Sequence, residues 1–67
     1  MKNKELVKLR VDHELTQMQA AKQLGVSVAT YNLVEQGKRR GSAEFWLGVQ
    51  KLFNLKDGEV WKIQNRI

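Results

Sequence analysis

Apolar positions recur at helical spacing through most of the chain. Leu6 and Leu9 stand three apart among Lys and Glu, which predicts an amphipathic helix over about residues 2–13. Thr16 then precedes Gln17-Met18-Gln19-Ala20-Ala21-Lys22-Gln23-Leu24, mostly good helix formers. Thr16 reads as its N-cap, Gln19 completes a capping box, and Gly25 suits the left-handed residue that ends a helix. Ser27 is positioned to cap a third helix through Glu35 that stops at Gly37, with Tyr31 and Val34 as its buried stripe. Ser42 opens a fourth, in which Trp46, Val49 and Phe53 face the core and Gly48 marks a close approach. A fifth, near Asp57 to Gln64, offers Val60 and Trp61 as apolar contacts. No strand alternation or internal repeat interrupts the pattern, so the expected fold class is all-α, a compact five-helix domain.

Composition narrows the class. At 67 residues, with 42% hydrophobic and 28% charged residues, the chain makes one small globular domain over residues 1–67. Without cysteine it has neither a disulfide framework nor a thiolate metal site. No apolar run approaches the ~18 residues of a membrane span, and Met1 to Glu5 leads into a charged amphipathic stretch rather than an apolar leader. A soluble, cytoplasmic protein is expected. The net charge of +5 favours an anionic partner, either nucleic acid or an acidic lipid surface. A membrane-binding helix segregates its cations on one face, whereas the dense basic run here, Lys38-Arg39-Arg40, lies between Gly37 and Gly41 and reads as a loop. On its own that run is either a solvated turn or a contact for an anion.

The informative unit spans about residues 16–36: a helix, a turn at Gly25-Val26-Ser27, and a second short helix. Two helices joined by a short glycine-containing turn are the signature of a helix-turn-helix, although many small helical domains use such turns for packing alone. The steep angle lets the second helix enter a major groove while the first crosses the backbone. Ala20 and Ala21 allow close approach, and the helix start at Thr16-Gln17 offers backbone N–H groups and an amide to a phosphate.

Leu9-Arg10, Leu15-Thr16-Gln17, Ala21, Leu24-Gly25-Val26-Ser27, Glu35, Gly37 and Arg39 together resemble the Cro/C1-type (XRE) helix-turn-helix domain, the family of lambdoid phage repressors and Cro proteins. The match runs from about Leu6 to Val60. It implies a lambda-repressor-like five-helix DNA-binding fold, usually dimeric on DNA and regulating transcription. Carried over by the resemblance, Gln17 is a phosphate contact and Val28, Ala29, Asn32 and Leu33 face the groove, with Ser27 and Thr30 at the N-terminal edge. Lys38, Arg39 and Arg40 match the loop along the DNA backbone, and Arg10 and Glu35 a partly buried ion pair.

Three departures from the family pattern carry expectations. Glu14 stands where a residue tolerant of a left-handed turn is common. Ala20 replaces a usual Leu, so Trp46 or Met18 should fill the nearby core. Gly41 replaces a usual Pro and should loosen the basic loop. The groove-facing set is unusually apolar. Asn32 has an amide suited to adenine N6 and N7, while Val28, Ala29 and Leu33 can only pack on thymine methyls, and Leu33 is equally placed to touch helix four.

Trp46 reads as core, and Trp61, with Ile63 and Ile67, as a dimer contact or simple packing. His13 lacks partners for a metal site and is expected to be solvated. Nothing supports an enzyme. Gly37-Lys38 is followed by Arg39 rather than Ser or Thr, Ser27 has no nearby base, and Glu35 and Glu44 make no catalytic pair. No cofactor or small-molecule ligand is expected. The expected function is a sequence-specific regulator, most simply a Cro-like repressor, binding a palindromic double-stranded DNA operator as a homodimer. At this length no second, sensing domain is expected, which favours a Cro-like protein unless the chain is the N-terminal fragment of a two-domain repressor. The alternative is a protein-interaction module, antitoxin or antirepressor-like, that holds a partner on the apolar face of helix three.

Overall fold

Four helices begin at a side chain that takes up an otherwise unpaired backbone N–H. In the computed structural model, Asn3 accepts from Leu6 N, Thr16 from Gln19 N, Ser27 from Thr30 N and Ser42 from Phe45 N. The structure describes residues 2–64. Its elements are α1 (Lys4–Asp12), α2 (Gln17–Leu24), α3 (Val28–Glu35), α4 (Ala43–Leu52) and α5 (Asp57–Gln64), with no strand among the described residues. The capping box of Thr16 and Gln19 is formed, and Gly25 ends α2 at φ +72°. Glu14 and Asn54 adopt left-handed φ values of 57° and 53° in the turns after α1 and α4.

The apolar stripes converge on one core of Leu6, Ala20, Ala21, Tyr31, Val34, Phe45, Trp46, Val49, Phe53, Val60 and Ile63, all buried. Gly48 sits where α4 meets α2. A Cβ there would lie 2.9 Å from Leu24 Cδ2, so the glycine sets the helix spacing. Asn3 ties the start of α1 to α5 and to the end of α3: besides capping α1, its Nδ2 donates to Ile63 O at 3.1 Å and its backbone N to Glu35 O at 2.7 Å. Among the described residues, no helix is long and apolar enough to cross a membrane.

Several packing expectations need correction. Met18 is 69% exposed, so of the two side chains expected to compensate for Ala20 only Trp46 is in the core. On α5 the buried partner of Val60 is Ile63, three residues on, whereas Trp61 is 64% exposed. Ile63 thus belongs to the core, and Ile67 lies outside the described residues. His13 is exposed but engaged, with Nδ1 2.8 Å from Leu9 O and its ring edge-on to Phe53 at 4.7 Å.

Candidate nucleic-acid interface

The α2–α3 unit owes its shape to the Gly25 turn and the two N-caps that bracket it. Tyr31 and Val34 anchor α3 in the core with Glu35 buried beside them, and the other side chains of the helix lie nearer the surface. Ser27, Val28 and Ala29 are exposed, while Thr30, Asn32 and Leu33 are half-buried. Val28 and Asn32, four residues apart, therefore lie on one stripe, and Gln36, exposed at the C-cap, extends it by another four. The exposed helix matches the width of a B-form major groove, about 12 Å.

The basic loop is docked onto the end of this helix. The N–H groups of Lys38 and Arg39 both donate to Leu33 O, at 3.0 and 3.2 Å. Lys38, Arg39 and Arg40 expose their side chains on a loop whose backbone is docked at the end of α3. Trp46, buried in α4, donates its indole Nε1–H to Arg40 O at 2.6 Å. The loop is tied here rather than loosened as expected of Gly41. The glycine takes φ +81°, which proline is unable to reach, and a Cβ would sit 2.9 Å from Trp46 Nε1. Its absence lets the chain close over the indole.

Beneath α3 a polar chain links three helices. Arg10 Nε donates to Glu35 Oε2 at 2.6 Å and Arg10 Nη1 to Leu15 O at 2.8 Å. The pair is well shielded, the two side chains being 16% and 3% exposed. Gln17 Nε2 donates to Glu35 Oε1 at 2.9 Å. Asn32 Nδ2 donates to Gln17 Oε1 at 3.1 Å, and Gln36 Nε2 to Asn32 Oδ1 at 2.8 Å. The hydrogen bond to Glu35 holds the Arg10 guanidinium above its ordinary pKa, against the opposing effect of burial. Burial pushes the Tyr31 phenol up, and the neighbouring Glu35 carboxylate adds to it.

The expected residues are thus distributed over one surface and its support. Val28, Ala29, Ser27 and the three cations form the outer surface, with Thr30 and Leu33 partly covered and Ser27 Oγ donating to Thr30 Oγ1 at 2.9 Å. Gln17 and Asn32 are not independent contacts, since each amide is engaged at both ends. Gln36 escaped sequence reasoning. The i+4 step from Asn32 was the available signal, but a polar residue at a helix end reads as a cap.

A family model described as a helix-turn-helix domain matches residues 4–60. No curated protein and no solved structure matches the chain.

Proposed function

The chain belongs to the helix-turn-helix domain family, a DNA-binding family, and we propose that it is a sequence-specific regulator of transcription, most simply a Cro-like repressor without enzymatic activity. The observation that carries this reading is the exposed α3 stripe flanked on one side by the start of α2 and on the other by Lys38, Arg39 and Arg40. Helix α3 lies in the major groove. Gln17 and the loop cations hold phosphates, Asn32 contacts a base edge, and Val28 and Ala29 meet thymine methyls.

Each copy carries one α3, so a palindromic operator with half-sites ~34 Å apart calls for two copies, with Trp61, 64% exposed on α5, as the proposed contact between them. A cytoplasmic location is part of the same proposal. The interaction-module reading draws on Val28, 43% exposed on the same stripe.

Selection from a random double-stranded library at near-physiological salt, followed by sequencing, separates the two. An enriched palindrome with half-sites about ten base pairs apart is expected of the regulator. No enriched sequence, with only weak binding that vanishes as salt rises, contradicts the proposal and favours a protein partner.

A further inference from the structure

The hydrogen-bond chain under α3 has a fixed polarity. A carboxylate only accepts, so Glu35 obliges Gln17 to present its NH2 group inward and its carbonyl to Asn32. Asn32, donating to that carbonyl, must in turn present Oδ1 to Gln36. Each amide is therefore oriented by the one before it, from a buried charge out to an exposed side chain. The last member, Gln36, gives one Nε2 hydrogen to Asn32 and keeps Oε1 and its second Nε2 hydrogen unused. One acceptor and one donor on a planar amide match adenine N6 and N7 in the major groove.

Resting on the proposal that α3 reads DNA, we infer that Gln36 is a specificity-determining residue that contacts a base edge, with Asn32 acting as its positioning residue besides making its own contact. Val28 contributes no hydrogen bond on this stripe, so the amides of Asn32 and Gln36 carry its polar readout. The two residues do not contribute equally. Removing Gln36 leaves Asn32 held by Gln17, whereas removing Asn32 also frees Gln36.

The library selection, repeated with Gln36→Ala, Gln36→Glu and Asn32→Ala on the full chain, tests this. Gln36→Ala is expected to lose about tenfold discrimination at one base position per half-site and to keep the rest of the motif. Gln36→Glu, acceptor-only, should shift that position towards cytosine. Asn32→Ala should relax two positions. Melting curves matching the wild type establish that the variants fold, and Gln36 is exposed at a helix end. If the wild-type chain enriches a motif and Gln36→Ala returns the same one, the inference is overturned while the regulator stands. Uniform weakening across all sequences overturns it too, marking Gln36 as a backbone contact. Failure of the wild-type chain itself to enrich any motif overturns both.

Discussion

Glu35 is nearly sealed from water yet takes donors from Arg10 on α1 and Gln17 on α2. Removing the guanidinium strands a buried carboxylate, a loss of about 3 kcal/mol. Arg10→Met is therefore expected to melt well below Lys2→Met, which alters an exposed cation; equal melting temperatures contradict that role. Tyr31 sits beside the pair, fully buried, with no hydrogen-bond partner for its hydroxyl. Its folded pKa is raised, so the fold favours the protonated phenol. That preference adds stability below the unfolded value, about 10, and the contribution falls away as pH rises above it. Tyr31→Phe should leave stability at neutral pH within about 1 kcal/mol of wild type and lessen the loss between about pH 9 and 11. Thermal melts across that range that fall in parallel for both proteins contradict it. The Arg10–Glu35 pairing entered the sequence reading only by family resemblance, since the two residues are 25 apart and no local pattern joins them.

Local signals made the helices legible. Thr16, Ser27 and Ser42 cap helices within three residues of themselves, and Gly25 ends one where it stands. Long-range features were not legible in the same way. Asn3 holds Ile63 across 60 residues, a bond no window of sequence contains. Ile63 rather than Trp61 joins Val60 in the core, because residues three apart share a helix face whereas the next residue along is turned by about 100°. Gly41 was misread for a related reason: without Trp46 above it, a glycine in a basic loop looks like slack. The indole bond and the positive φ make it a fastening instead. Gly41→Pro, though it brings back the residue usual in the family, is expected to cost more than about 1 kcal/mol, because the ring forbids this backbone conformation. A variant as stable as the wild type, measured by denaturant unfolding, contradicts the fastening.

The surplus of positive charge acts over the whole molecule, but its placement beside α3 gives it a direction. Each phosphate neutralised releases counterions, so affinity for duplex DNA should fall steeply with salt. Arg39→Ala with Arg40→Ala is expected to weaken binding to all sequences and to flatten the plot of log affinity against log salt by about 2. An unchanged slope contradicts phosphate contact by the loop. Which face meets DNA is read out by titrating the isotope-labelled chain with a duplex while following each backbone amide by NMR. The amides of Gln17, Val28, Ala29, Asn32, Gln36 and residues 38–40 are expected to shift first and furthest. Shifts centred instead on the opposing faces of α1 and α5, or no shifts at all at low salt, contradict DNA binding through α3.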